Sequence, residues 1–186
     1  MNNIIRETLA VLKRGGIILY PTDTIWGLGC DATDKDAVSS IYAIKQRNKN
    51  KSMLILVDSI GMLEKYVKNI PEAAYELIET AKYPLTIVYP HGVNIASNLL
   101  ALDGSIGIRV TKDEFCRRLI EEFEKPIVST SANLTGTNPP LGYFDVSNEI
   151  KMSVDYIVPL HLEELSPTKS SDIIKIEGNG DIKIIR

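Results

Sequence analysis

The chain reads as a mixed α/β (α+β) protein: a twisted mixed sheet flanked by helices. Three observations predict this. Short apolar runs rich in Ile, Val and Leu suit buried strands, segments with apolar residues at helical spacing alternate with them, and Gly, Pro and Asn clusters separate the two. With 186 residues and 44% apolar content there is material for a sizeable core, and no linker divides it, so residues 1–186 are expected to form a single domain.

Ile5, Leu9 and Leu12, widened by Ile4 and Val11, predict a helix near 3–14 that stops at Gly15-Gly16. A strand at 16–20 follows, then a loop of Pro, Thr and Gly over 21–29. Ala37, Ile41 and Ile44 mark a helix at 35–45 with Asp34 as N-cap. Residues 53–57 suit a buried strand, and helices are expected near 61–67 and 71–81, the second opened by Pro71. Strands at 85–89 and 105–110 precede a helix at 112–124, set by Phe115, Leu119, Ile120 and Phe123. Residues 126–129 look like a strand, 136–153 like a long surface loop, and the end like a hairpin of 173–176 and 182–185 around Gly178-Asn179-Gly180.

A net charge of −3 and a pI near 5.5 argue against a generally basic protein that coats nucleic acid. Cys30 and Cys116 lack paired or metal-ligand spacing and read as buried small hydrophobes, and no His, Cys, Asp and Glu set has zinc spacing. No signal peptide or membrane span is recognisable, so a cytoplasmic protein without membrane association is expected. The P-loop and G-x-G-x-x-G patterns are missing, which excludes those nucleotide sites in their usual form.

Several clusters remain that can carry chemistry. Tyr20-Pro21-Thr22-Asp23-Thr24-Ile25-Trp26-Gly27-Leu28-Gly29 leaves the end of a strand, where open α/β sheets hold ligands. Lys45-Gln46-Arg47-Asn48-Lys49-Asn50-Lys51 puts four cations in seven residues. They can hold a polyphosphate, or simply solvate a helix C-terminus. Ser129-Thr130-Ser131-Ala132-Asn133 offers hydroxyls to an anion, or caps a following helix. A serine nucleophile is disfavoured: there is no G-x-S-x-G elbow, and His91 and His161 sit in ordinary surroundings. Arg109, between apolar neighbours, requires either an internal ion pair or an anionic ligand. Trp26 is expected to pack rather than to stack on a ligand.

Together these segments resemble the YrdC family of threonylcarbamoyl-AMP synthases. The resemblance rests on Pro21-Thr22-x-Thr24-x-x-Gly27-Leu28-Gly29, Ile44-Lys45-x-Arg47, Gly107-x-Arg109 and Thr130-Ser131-Ala132-Asn133-x-Thr135-Gly136, in this order along nearly the whole chain. The chain departs from the family pattern at Trp26, Asn48, Ser52, Tyr83-Pro84 and Thr111-Lys112, and the register of Ser170-Ser171 is ambiguous. The resemblance implies synthesis of threonylcarbamoyl-adenylate and pyrophosphate from L-threonine, bicarbonate and ATP. Other proteins then pass the threonylcarbamoyl group to tRNA, and a weak tRNA contact by this chain stays open. Magnesium would arrive with ATP on its phosphates, without a dedicated protein metal site.

Carried over by residue, the resemblance makes Lys45, Arg47, Ser131 and Asn133 the catalytic set. Thr22, Thr24, Arg109, Thr130 and Ser171 would bind threonine. Lys45, Arg47, Lys51, Ser105, Ser131, Asn133 and Arg186 would bind ATP. Two rival readings use the same residues. One is an RNA-binding module built on the basic stretch; the other is a carbamoyl-adenylate former that uses carbamoyl phosphate, which the short chain disfavours.

Overall fold

The computed structural model describes residues 1–48, 51–159, 169–178 and 180–186. Lys49, Asn50, His161 and Asn179, each part of a feature read above, lie outside the described residues. Six helices, α1 (Asn2–Lys13), α2 (Lys35–Ile44), α3 (Ile60–Leu63), α4 (Glu72–Thr80), α5 (Glu114–Phe123) and α6 (Asn148–Met152), accompany nine strands among these residues. The strands are β1 (Ile18–Tyr20), β2 (Gly27–Gly29), β3 (Leu54–Val57), β4 (Leu85–Tyr89), β5 (Ile106–Val110), β6 (Ile127–Ser131), β7 (Tyr156–Ile157), β8 (Asp172–Ile176) and β9 (Ile182–Ile184). They form one mixed sheet in the order β7-β1-β2-β6-β3-β5-β4-β8-β9. Among the described residues, no helix is long and apolar enough to cross a membrane.

α2 and α5 start where the sequence provides side-chain acceptors. The Asp34 carboxylate takes the N–H groups of Asp36 and Ala37 at 2.9 and 3.1 Å, and Asp113 takes that of Cys116 at 2.7 Å. The core is continuous, with Ile18, Leu28, Ile55, Leu119 and Val128 all inaccessible to solvent. Cys30 and Cys116 are buried and unpaired, and burial pushes both thiols well above their ordinary pKa.

Four expectations need correction. Residues 21–29 are not all loop: Gly27, Leu28 and Gly29 form β2, antiparallel to β1, with Tyr20 opposite Gly27. A Cβ on Gly29 would lie 2.7 Å from Tyr20 Cε1 and 3.0 Å from Val128 O, so the strand is glycine-built to let the tyrosine ring cross it. The hydroxyl cluster caps no helix, because β6 itself runs on to Ser131, opposite Gly27. The region 136–153 contains α6, started by Ser147 and anchored by the fully buried Ile150, and β7 follows it in parallel to β1. The helix expected at 61–67 is only the short α3, begun by the Ser59 hydroxyl.

Candidate active site

A cavity of about 280 Å³ opens over six neighbouring strands. Alternation along each strand determines its floor. Gly27 contributes from β2, Ser129 and Ser131 from β6, Leu54 from β3, Gly107 and Arg109 from β5, Thr86 and Val88 from β4, and Ile173 from β8. Thr24, Ile25 and Trp26 form one wall, and Ser170, Ser171 and Arg186 another. Trp26 packs as expected, against Tyr143 with ring centroids 5.3 Å apart, and it also lines the cavity.

Three guanidiniums reach this space. Arg47 donates from Nε to Lys51 O (2.9 Å) and from Nη2 to Ser52 O (3.0 Å). Arg186 donates from Nε and Nη2 to Ser171 O at 3.3 and 3.1 Å. Arg109, only 2% exposed, has its Nη2 3.0 Å from Asp23 Oδ1. That pair is close but not aligned as a hydrogen bond: Asp23 Oδ1 and Arg109 Nε both lack a hydrogen-bond partner. Of the alternatives posed by a buried arginine, the internal ion pair is present, and the side chain still borders the cavity.

The end of α2 sorts Lys45 from Arg47. Gln46 sits in the left-handed region at φ 49°, its N–H donates to Ala43 O, and Arg47 N–H donates to Tyr42 O at 2.9 Å. This is a Schellman closure with glutamine where glycine is preferred. It turns Arg47 toward the cavity and leaves Lys45 buried beneath the exit of β6. There the Lys45 ammonium donates to the main-chain carbonyls of Ser131 and of Asn133, the latter at 2.7 Å. Burial, helped by the charge of Arg47, draws the Lys45 pKa down to about 8.

The structure therefore brings together Thr24, Arg47, Arg109, Thr130, Ser131, Ser171 and Arg186, and both Ser170 and Ser171 face the cavity. Five expected site residues do not line it. Lys45 is spent on backbone carbonyls, and Asn133 donates its amide to Leu134 O and Thr137 O, tying the loop after β6. Thr22 is buried and bonded to Thr24 Oγ1 (2.9 Å) and Ile25 O (2.8 Å), so it shapes the wall from behind. The exposed Lys51 contributes its carbonyl to Arg47. Ser105 lies at the other end of β5 from Arg109. Its hydroxyl donates to Asp103 Oδ1 at 2.5 Å, and this bond leads the effects that lower the Asp103 pKa to about 2. Among the described residues of the basic stretch, Lys45 is buried and Arg47 lines the cavity, so these two cations do not share an exposed patch of the kind an RNA module would need.

Thr86 and Asp23 are lining and supporting residues the sequence reading passed over. A threonine inside the apolar strand Leu85-Thr86-Ile87-Val88 was a usable signal, as was the question of which carboxylate Arg109 would need. Thr86 Oγ1 lies 2.8 Å from Ser171 Oγ and joins β4 to the opposite wall. Among the described residues, no three His, Cys, Asp or Glu side chains are grouped to hold a metal, and no Asp or Glu lines the cavity.

Residues 10–186 match the model of the Sua5/YciO/YrdC family, whose description is telomere recombination. The chain belongs to this family. It is 34% identical over 181 residues to the threonylcarbamoyl-AMP synthase of Pseudoalteromonas translucida, spanning 96% of this chain and 95% of that protein. It is also 34% identical over 163 residues to the threonylcarbamoyl-AMP synthase of Hahella chejuensis, spanning 87% and 89%. Among solved structures, P. abyssi Sua5 complexed with L-threonine superposes with a TM-score of 0.84 at 27% identity. That likeness covers 98% of this chain but 53% of Sua5, so the chain spans about half the length of that relative. E. coli YciO, with a TM-score of 0.82 at 22% identity over 100% of this chain and 89% of its own, shares the fold.

Proposed function

We propose that this member of the family is an L-threonylcarbamoyladenylate synthase, a nucleotidyltransferase that makes its product from L-threonine, bicarbonate and ATP. The observation that carries this reading is the charge of the cavity: three guanidiniums, a hydroxyl-lined floor and no Asp or Glu among the described lining residues. Such a space suits two anionic substrates held side by side. The names of the relatives in Pseudoalteromonas translucida and Hahella chejuensis support the same activity.

In the first step the threonine amine attacks bicarbonate carbon, forming a carbamate with loss of water. A carbamate oxygen then attacks the α-phosphorus of ATP, and the bond from that phosphorus to the bridging oxygen breaks to release pyrophosphate. Neither step needs a protein nucleophile; both need alignment and neutralisation of charge. Arg47 and Arg186 hold the phosphates and the charge that grows on the departing pyrophosphate. Arg109 takes the threonine carboxylate, with Thr24, Thr130 and Ser171 around the rest of the amino acid. Ser131 meets the nucleotide or the carbamate. Lys45 and Asn133 act from behind by fixing the backbone that presents Ser131. Magnesium enters as part of the ATP substrate, on its phosphate oxygens. The product would donate its threonylcarbamoyl group to a tRNA adenosine through downstream transfer proteins in the cytoplasm.

The test is pyrophosphate release from ATP with each amino acid in turn, with and without bicarbonate. Release that requires both threonine and bicarbonate is expected. Release with serine alone would reassign the substrate, and no release with any amino acid would reject the synthase reading.

A further inference from the structure

The three guanidiniums of the cavity are not electrically equivalent. Arg47 and Arg186 donate to main-chain carbonyls, which orient a guanidinium without cancelling its charge. Arg109 instead faces the Asp23 carboxylate at 3.0 Å, with side chains only 3% and 16% exposed. Their points of attachment on the sheet also differ. Arg109 pairs in register with Leu56 on β3, whereas Arg47 is fastened at Ser52, four residues earlier, on the order of 13 Å along an extended chain. Arg186 is fastened beside β8, two strands from β5 and on the order of 10 Å across the sheet.

We infer that Asp23 is a positioning residue that decides which anion goes where. By cancelling the charge of Arg109, it leaves Arg47 and Arg186 to attract the polyphosphate and reserves Arg109 for the singly charged carboxylate of the amino acid. A polyphosphate gains from net positive charge, so it favours the uncompensated pair. A carboxylate can use directional donors, and Arg109 brings a planar guanidinium to the border of the cavity. Without Asp23, three cations would compete for one polyphosphate, and the ATP and threonine ends of the cavity would lose their distinction. Asp23 itself borders a smaller cavity of about 160 Å³, together with Ile78, Tyr83 and Lys112. An asparagine would preserve that wall while removing the charge.

This inference rests on the synthase reading, and the experiment separates the two. Product inhibition by pyrophosphate is measured against ATP and against threonine in wild type, Asp23→Asn and Asp23→Glu. Wild type should show pyrophosphate competing with ATP and not with threonine. In Asp23→Asn, pyrophosphate should compete with threonine as well, and the threonine KM should rise about tenfold or more; Asp23→Glu should restore the wild-type pattern. A merely structural role would lower kcat or stability without changing which substrate pyrophosphate displaces. An unaltered inhibition pattern in folded Asp23→Asn overturns the inference while leaving the synthase reading intact. If that variant does not fold, calorimetry on wild type decides: one bound pyrophosphate per chain supports the inference and two overturn it. Wild type that releases no pyrophosphate with threonine rejects the synthase reading itself.

Discussion

The Lys45 ammonium is bonded to the carbonyl oxygen of Ser131, the last residue of β6. One side chain thus ties the end of α2 to the hydroxyl edge of the cavity, and a second bond to Asn133 O fixes the loop that follows. Lys45→Met would leave both carbonyls without this donor. Misplacing Ser131 by about 1 Å is enough for a loss on the order of 100-fold in rate. We expect pyrophosphate release to fall by about that factor while the variant still folds. Near wild-type turnover would show that Lys45 does not organise the site.

The same lysine predicts a pH dependence of stability. Its pKa is about 8 when folded and about 10.5 when free, so unfolding takes up a proton between those values. Its contribution is therefore least favourable below pH 8 and improves as pH rises toward 10.5, by about 3 kcal/mol over the whole window. Urea unfolding of wild type and Lys45→Met at pH 7.5 and pH 10 should show the difference moving in favour of wild type at the higher pH. A difference that stays constant would contradict the shift.

Gln46 predicts a gain in stability. A non-glycine residue at φ 49° is strained, and its side chain is held only by a 3.3 Å bond to Glu149 at the surface. Gln46→Gly relieves the strain and should stabilise the protein by roughly 0.5–1 kcal/mol, about 1–4 °C in melting temperature. If Tm falls instead, the Glu149 contact matters more than the backbone.

Where local chemistry decided the structure, the sequence was readable. The apolar runs at β3, β4 and β5 and the Asp34 cap of α2 needed no knowledge of their partners. β2 was not readable, because Gly27-Leu28-Gly29 has little strand propensity and forms a strand only because the ring of Tyr20 needs the space. α6 is five residues long and β7 two, too short for periodicity to register. In the site, the cations were legible as charges, and Arg109 as a problem requiring a solution. The opposite fates of Lys45 and Arg47 were hidden because the left-handed turn at Gln46 has no sequence signal. For Asp23 the need of Arg109 for a carboxylate was a signal, but the remoteness of the two in the chain kept the sequence from naming which one.

The close packing at β2 gives a direct test. A methyl on Gly29 would meet Tyr20 Cε1 at 2.7 Å, Ile127 Cγ2 at 3.0 Å and Val128 O at 3.0 Å. Backbone and buried side chains cannot yield cheaply, so Gly29→Ala should destabilise by about 1–3 kcal/mol. Calorimetry should show a melting temperature lower by at least a few degrees. An unchanged transition would mean that the Tyr20 ring can leave β2 at little cost.

Gly107 gives the complementary case, in which space belongs to the substrate rather than to packing. It lies on the floor of the cavity beside Arg109, and a Cβ there would touch Leu54 Cβ and Thr86 Cγ2 at an ordinary 3.4 Å. Its φ lies outside the left-handed region, so the backbone accepts any residue. Gly107→Ala should fold normally. Gly107→Val adds two methyls at the floor and gains strand propensity, so its melting temperature should hold or rise. Its kcat/KM for threonine-dependent pyrophosphate release should drop by about tenfold or more, with alanine between valine and wild type. Stability and activity thus move apart at Gly107, whereas at Gly29 the loss is one of stability. A valine variant with full activity would mean that the reacting groups do not pass over this strand.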